Sequence, residues 1–409
     1  MNDFKGKKIA VLGLGVEGIS SALYLKEKGA SVTVLDEKEK KEFSQETMEQ
    51  LNNEAIDIVV GKDYLSNLNN FDMVVRSPGI RLDLPEIIKA SEKGIEITSQ
   101  TKLFFDLCPC PIIGVTGTKG KGTTSSLIYE MLKKQGIDVY LGGNIGKPPF
   151  EFLDKLTPQS KVVLELSSFQ LQDITKSPHI GVVLMITSEH LQGFGSQNYH
   201  KDVYEYVDSK RKIIRFQQSE DTAIINQDYI VSRESDIETS GKIFNISRED
   251  SLAQGAYVKD KAVYLRFENK DQKIIDAKDI LLPGQHNLEN VCAAVMAAAL
   301  SGVLVSNMIS VLKTFKGLEH RLQLVSEING VKYYDDSFST TPETAIAAIQ
   351  AFTQPEILIL GGSSKGSDFS ELGKVISEAH NIKAIIGVGV EWERIKETFT
   401  IYDLRFTKG

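Results

Sequence analysis

Two short apolar runs, Lys8 to Leu12 and Ile112 to Val115, each end in a glycine-rich turn and pass directly into a segment with helical periodicity. A strand that hands its chain to a helix through such a turn packs as a parallel βα unit, with the turn at the carboxyl edge of the sheet. Two such turns therefore place the chain in the α/β class. Around the first, Ile19 to Lys28 reads as a helix, and Gly29 stops it before a second strand, Ser31 to Leu35. Ile56 to Val60 and Met73 to Val75 are further strands, ahead of the turn Ser77-Pro78-Gly79. Pro109 and Pro111 punctuate a boundary near residue 107. Beyond it, Val139 to Leu141, Val162 to Leu166 and Val182 to Ile186 alternate with helices, as a second parallel sheet requires. Residues 221 to 280, including Tyr257 to Phe267, read as a smaller, partly antiparallel layer. From Gln285 to Leu304 the run AAVMAAAL holds too many small apolar residues for an exposed helix. A third unit begins near Lys316-Gly317 and carries strands Ile357 to Leu360 and Ala384 to Val388.

A chain of 409 residues exceeds what one hydrophobic core usually organises, which favours about two to four domains. The domains expected are 1–107, 108–316 and 317–409. With 41% hydrophobic and 25% charged residues the composition is that of an ordinary folded protein. The net charge of -8 argues against nonspecific binding to nucleic acid or anionic membrane, because both are driven by excess Lys and Arg. The start, MNDFKGKKIAVLGLG, has too short an apolar run for a signal peptide, and no stretch of about 18 apolar residues could span a bilayer. A cytoplasmic protein without membrane insertion is expected. Cys108, Cys110 and Cys292 make no disulfide framework. Cys108-Pro109-Cys110 lacks the second pair of a zinc site and reads as a linker with incidental thiols.

The first turn, Gly13-Leu14-Gly15-Val16-Glu17-Gly18, has Asp36 at the end of the next strand. That pattern matches the dinucleotide fingerprint, in which helix amides meet a diphosphate and the acid binds a ribose hydroxyl. By itself it suggests NAD, but the same geometry holds any nucleotide diphosphate, and glycine turns also serve close packing. The second turn, Gly117-Thr118-Lys119-Gly120-Lys121, is more specific, since backbone amides and a lysine ammonium together surround a polyphosphate. A full phosphate loop puts Ser or Thr directly after its lysine to hold magnesium. Here that position is Gly122, followed by Thr123 and Thr124.

Magnesium needs hard oxygen ligands, and Glu165 sits at the end of the apolar strand VVLEL, where an acid is costly unless it binds something. Past the next strand, Thr187-Ser188-Glu189-His190 brings another acid and a histidine to the same sheet edge. Alone, His190 would read equally as a hydrogen-bonded loop histidine. Lys210, within the charged run from Asp208 to Lys212, would alone read as one more solvated helix lysine.

In order along the chain stand GLGVEG, Ser77-Pro78-Gly79-Ile80, GVTGTKGKGTT, Gly143-Asn144-Ile145-Gly146, ELSSFQL, TSEH and the Lys210 segment. They are followed by GQHNLEN, LEHR, Asp335-Asp336-Ser337 and GGSSKGSDF. This ordered set, covering nearly the whole chain, resembles the Mur ligase family, and ELSSFQL is most similar to its glutamate-adding branch. The resemblance implies three α/β domains: a Rossmann-like N-terminal domain, a central P-loop ATPase-like domain with a parallel sheet, and a Rossmann-like C-terminal domain. It implies an ADP-forming ligase that activates the carboxylate of UDP-N-acetylmuramoyl-L-alanine with ATP and joins it to D-glutamate, in peptidoglycan precursor synthesis. A monomer is expected.

By the same resemblance, Gly15, Val16, Glu17, Asp36, Ser77, Pro78, Gly79 and Asn144 hold the UDP-linked substrate. Gly117, Thr118, Lys119, Gly120, Lys121, Gly122 and Thr123 surround the ATP phosphates. Asn287 and Asn290 face the adenine side, and Arg321 and Asp336 close on the nucleotide. Thr123, Glu165, His190 and Lys210 serve Mg2+, Lys210 as a carbamate, because an unmodified lysine has no lone pair to offer a metal when charged. Lys121, His190 and Lys210 are the implied catalytic residues, and Thr340 and Lys365 meet the amino acid.

The sequence departs from the family pattern at Gly122, at Phe338, where the branch carries a lysine, and at Gln192, where an aspartate is common. It also stops at Gly409 without the terminal serine-containing loop and aromatic that help bind D-glutamate in the family. Either the sequence is truncated or its amino-acid pocket is built differently. These departures leave room for a nucleotide-binding relative that has lost ligase activity; an NAD-dependent oxidoreductase would leave the second loop without purpose.

Overall fold

The computed structural model describes residues 4–187, 200–364 and 366–400. The first sheet contains β1 (Lys8–Leu12), β2 (Ser31–Asp36), β3 (Asp57–Val60), β4 (Met73–Arg76) and β5 (Glu96–Ser99). All pair parallel, in the order β3-β2-β1-β4-β5. Helices α1 (Val16–Glu27), α2 (Gln45–Asn53), α3 (Pro85–Glu92) and α4 (Gln100–Leu107) complete this unit. β5, with the sequence EITS, carries too little apolar patterning to be expected. The strand order reverses between β1 and β4, so a crevice opens at their carboxyl ends. The turns at Gly13 and Ser77 both lie there.

The second sheet has nine strands in the order β14-β13-β12-β11-β10-β9-β6-β8-β7. They are β6 (Ile112–Thr116), β7 (Val139–Gly143), β8 (Lys161–Glu165), β9 (Ile180–Val183), β10 (Thr222–Asn226), β11 (Lys242–Ser247), β12 (Gly255–Lys259), β13 (Ala262–Phe267) and β14 (Lys270–Asp276). Residues 221 to 280 thus do not make a layer of their own. β10, β11 and β12 continue the parallel sheet beyond β9, and antiparallel pairing is confined to the edge, where β13 pairs with β12 and β14 with β13. The apolar alternation of Tyr257 to Phe267 spans two strands because a turn at Asp260 and Lys261, both with positive φ, folds it into a hairpin.

α5 (Lys121–Lys134) follows the second glycine turn, and α6 (Ser168–Leu171), α7 (Val203–Arg215) and α8 (Ile230–Arg233) follow later strands. The alanine-rich segment forms α9 (Asn287–Leu300), with every residue from Val291 to Ala298 fully buried. Its small side chains let it lie close against α5 and across β10 to β13. α10 (Val305–Leu312) packs beside it.

One hydrophobic cluster runs without interruption from Ile9 and Val11 in the first sheet to Val183 and Ile225 in the second. Aromatic pairs hold the join: Tyr24 stacks on Phe150 at 4.4 Å, and Phe104 meets Phe152 edge-on at 5.7 Å. Such pairs contribute about 0.5–1.5 kcal/mol each beyond their area. Further along the chain, β15 (Gln323–Ile328) and β16 (Val331–Asp335) form an antiparallel hairpin. α11 (Pro342–Gln350), β17 (Glu356–Gly361), α12 (Ser370–Glu378), β18 (Ile382–Val388) and α13 (Trp392–Thr400) follow, with β17 and β18 parallel over their own small core.

Candidate functional site: a phosphate loop between two lysines

The second glycine loop is stitched to the loops on both sides. Thr118 N–H donates to the Met185 carbonyl at 2.6 Å, and Leu166 N–H to the Val115 carbonyl at 2.9 Å. Thr118 Oγ1 accepts from Thr187 N–H at 2.9 Å and lies 2.8 Å from the Tyr206 hydroxyl. These bonds hold the ends of β6, β8 and β9 in one edge, where the sequence places the loop, Glu165 and Thr187. Gly120 has φ +86, and a Cβ there would lie 2.1 Å from Asn290 Oδ1, so only glycine fits without displacing it. Asn290 itself accepts from Thr124 Oγ1 at 3.3 Å and donates to Asn287 Oδ1 at 2.9 Å, which ties α5 to the start of α9.

Lys121 opens α5 and folds back, its Nζ donating to the carbonyls of Gly117 and Thr118, each at 3.1 Å. Lys210, on α7, donates to the same Gly117 carbonyl at 2.8 Å and lies 4.7 Å from the Tyr206 ring centroid. It is 2% exposed, so the solvated-lysine reading does not hold. Burial lowers the pKa of Lys121, and Arg321 adds to the effect while Glu165 opposes it. Burial, and then the neighbouring charge of Lys121, pushes Lys210 well below the ordinary lysine range. Glu165 is 4% exposed, and its Oε2 is buried with no hydrogen-bond partner. An acid oxygen left this way is costly unless a cation meets it. Among the described residues no three His, Cys, Asp or Glu side chains gather as a metal cluster. His190 and Lys365 lie outside the described residues.

The nearby hydroxyl residue, Thr123, is half-buried on the first turn of α5, while Gly122 gives its space to Leu318. A Cβ on Gly122 would sit 2.9 Å from Leu318 Cδ1 and 3.8 Å from Glu165 Oε2. Asn144 is exposed, and its N–H donates to the Glu165 carbonyl at 2.9 Å. Arg321 is exposed, with its guanidinium 5.4 Å from the Phe338 ring centroid. Asp336 accepts from Leu322 N–H at 2.9 Å and from the Ser339 hydroxyl, and Thr340 is exposed.

At the first crevice, Gly13, Gly18 and Ser77 come together: a Cβ on Gly13 would approach Ser77 Oγ to 2.9 Å, and one on Gly18 would strike the Gly13 carbonyl at 1.8 Å. Gly15 and Val16 are exposed there, and Pro78 and Gly79 half-buried. Asp36 turns inward, accepting from Leu14 N–H at 2.7 Å and Lys38 N–H at 2.9 Å, so its carboxylate shapes the loop. Glu17 accepts from Gln170 Nε2 at 2.5 Å, its Oε2 has no protein partner, and burial raises its pKa to about 7.

Sequence reasoning passed over what lies beneath. Arg76 is 1% exposed, pairs with Asp173 at 3.2 Å and donates to the carbonyls of Pro78, Ile80 and Phe169. It joins the Ser77 turn to the segment after Glu165. An arginine ending the strand MVVR was the available signal, by the reasoning applied to Glu165. His200 and Phe169 also stack at 4.7 Å beside this junction, with His200 Nε2 2.8 Å from Ser168 Oγ.

Two linked α/β sheets, with a glycine loop at the carboxyl edge of the second and a crevice where the strand order of the first reverses, define a multidomain α/β protein of the nucleotide-binding class. The Mur ligase middle domain matches residues 115–298, and the Mur ligase MurD-like N-terminal domain matches residues 7–99. The chain belongs to the Mur ligase family. It is 41% identical to the UDP-N-acetylmuramoylalanine--D-glutamate ligase of Acetivibrio thermocellus, over 100% of this chain and 86% of that protein. The enzyme of the same name from Ruminiclostridium cellulolyticum is 36% identical over 98% of this chain and 84% of its own length. MurF from Acinetobacter baumannii shares the fold at a TM-score of 0.59 and 17% identity, covering 96% of this chain and 83% of that one.

Proposed function

We propose that this protein is an ATP-dependent, ADP-forming ligase that joins D-glutamate to UDP-N-acetylmuramoyl-L-alanine in peptidoglycan precursor synthesis. The observation that carries the reading is its 36–41% identity, over nearly its whole length, to ligases named for that reaction. The site supports it: a glycine loop with two lysines on one carbonyl and a buried acid with one oxygen free of hydrogen bonds at the same sheet edge suit transfer of a phosphoryl group.

A carboxylate resists an amine because oxide is a poor leaving group. Phosphorylation by ATP converts that oxygen into phosphate, and the amine of D-glutamate then displaces it. Lys121, released from the Gly117 and Thr118 carbonyls, would follow the transferred phosphoryl group and neutralise its charge. Glu165, with its unpartnered oxygen, fits magnesium, as would Thr123 and a carbamylated Lys210. Magnesium bound there supplies positive charge to the phosphates. His190 is proposed to assist a second ion. Asn287 and Asn290 would face the adenine side, and Arg321 and Asp336 would close over the nucleotide. Gly15, Val16, Glu17, Ser77, Pro78, Gly79 and Asn144 would hold the UDP substrate, with Asp36 fixing the loop, and Thr340 and Lys365 would meet the amino acid. In this scheme residues 1–107 bind the UDP substrate, 108–316 bind ATP and 317–409 bind the amino acid. Among the described residues no helix is long and apolar enough to cross a membrane.

Phosphate release from ATP with UDP-N-acetylmuramoyl-L-alanine, assayed against a panel of amino acids, tests the proposal. Release that depends on D-glutamate is expected. No release with any amino acid would favour a binding protein over a ligase.

A further inference from the structure

The Cys108-Pro109-Cys110 segment takes no part in this machinery, yet it is the covalent link between α4 and β6, the strand that carries the phosphate loop. Cys108 caps α4, its N–H donating to the Phe104 carbonyl at 2.8 Å, and Pro109 and Pro111 stiffen the next residues. The two sulfurs stand 3.6 Å apart, and neither is in a disulfide. Cys108 is half-buried, whereas Cys110 is 4% exposed and packed into the core shared by both sheets. An outer thiol in contact with an inner one is the arrangement of an attacking and a resolving cysteine.

We propose that Cys108 and Cys110 form a thiol–disulfide exchange site, open to low-molecular-weight disulfides. The Cys108 thiolate attacks one sulfur of the external disulfide, whose S–S bond breaks and releases one thiolate. Cys110, losing its proton, then attacks Cys108 Sγ in the mixed disulfide and expels the second. Two protein thiols are oxidised, the external disulfide is reduced to two thiols, and the two protons end on those products. Forming the bond brings the sulfurs from 3.6 Å to about 2.0 Å. The contact between the two sulfurs lowers the Cys108 pKa, against the effect of burial, and the same contact, with burial, raises that of Cys110. Cys292, fully buried, serves as the internal reference.

The test is incubation of the full chain with oxidised glutathione, followed by intact mass and peptide mapping. The expected product has lost two hydrogen atoms and carries a peptide linking Cys108 to Cys110. Cys110→Ser should accumulate the glutathione adduct on Cys108, at least about tenfold faster than Cys292 reacts, and Cys108→Ser should react correspondingly slowly. Absence of the linking peptide, or an adduct on Cys108 forming no faster than on Cys292, would overturn the proposal.

Discussion

Lys210 Nζ donates a 2.8 Å hydrogen bond to the carbonyl of Gly117, so a lysine from α7 is fixed within the phosphate loop although 93 residues separate the two. The same carbonyl accepts from Lys121. Two ammonium groups on one buried acceptor repel, and loss of a proton from one relieves the conflict.

That geometry predicts how Lys210 behaves. Its lowered pKa leaves more neutral amine near neutral pH, and the neutral amine is the form that captures carbon dioxide as a carbamate. Lys210→Ala should lower turnover at least about 100-fold, with partial rescue by small carboxylic acids that replace the carbamate oxygens. Removing dissolved carbon dioxide should depress wild-type turnover reversibly, and more so as pH falls. Steady-state phosphate release checks all three; an unaffected variant would sink the assignment.

Gly120 and Gly122, two residues apart, should respond unequally to alanine. At Gly120 a Cβ meets Asn290 Oδ1 at 2.1 Å on a backbone with φ +86, and the expected cost is about 1–3 kcal/mol with at least tenfold weaker ATP binding. At Gly122 the obstacle is the tip of Leu318, which can rotate, and helix propensity favours alanine, so stability should change by less than about 0.5 kcal/mol. Thermal unfolding and nucleotide titration would compare them. Equal losses would show that the loop does not discriminate the two positions.

Arg76→Ala should destabilise the protein by about 3–5 kcal/mol, because it leaves Asp173 buried without its counter-charge and three carbonyls without a donor. Since Arg76 braces the Ser77 turn, the KM for the UDP substrate should also rise. Pairing Arg76→Met with Asp173→Asn should recover part of the stability. Urea unfolding of both variants measures it, and an Arg76→Ala protein as stable as the parent would refute the burial argument.

Glu17 gives a pH signature. Its folded pKa, raised to about 7 from 4.5 mainly by burial, means that the folded state binds the proton more tightly than the unfolded chain. The resulting stabilisation is complete below 4.5 and is lost as pH rises through about 7. Glu17→Gln stays neutral, so relative to the parent it should gain stability between pH 4.5 and 8, by at most about 3 kcal/mol. Melting temperatures of both proteins across that range decide it; parallel curves would exclude a raised pKa at this position.

The sequence by itself determined the α/β class, both glycine turns, most strands of the two parallel sheets and the buried alanine-rich helix. Each of these follows from local pattern: apolar runs set strands, glycine sets the turns, and small side chains without polar neighbours mark α9 as interior. Glu165 was legible because a charge in an apolar strand conflicts with its surroundings. What the tertiary structure decided is which distant groups share one space. It buried Lys210 on the loop, although its charged neighbours suggested solvent, because α7 packs its Tyr206 face against β6 and β9. It turned Asp36 onto the glycine loop and brought Arg76 to Asp173 across two sheets. It also merged residues 221 to 280 into the central sheet, since strand pairing depends on which edge is open, and no local periodicity encodes that.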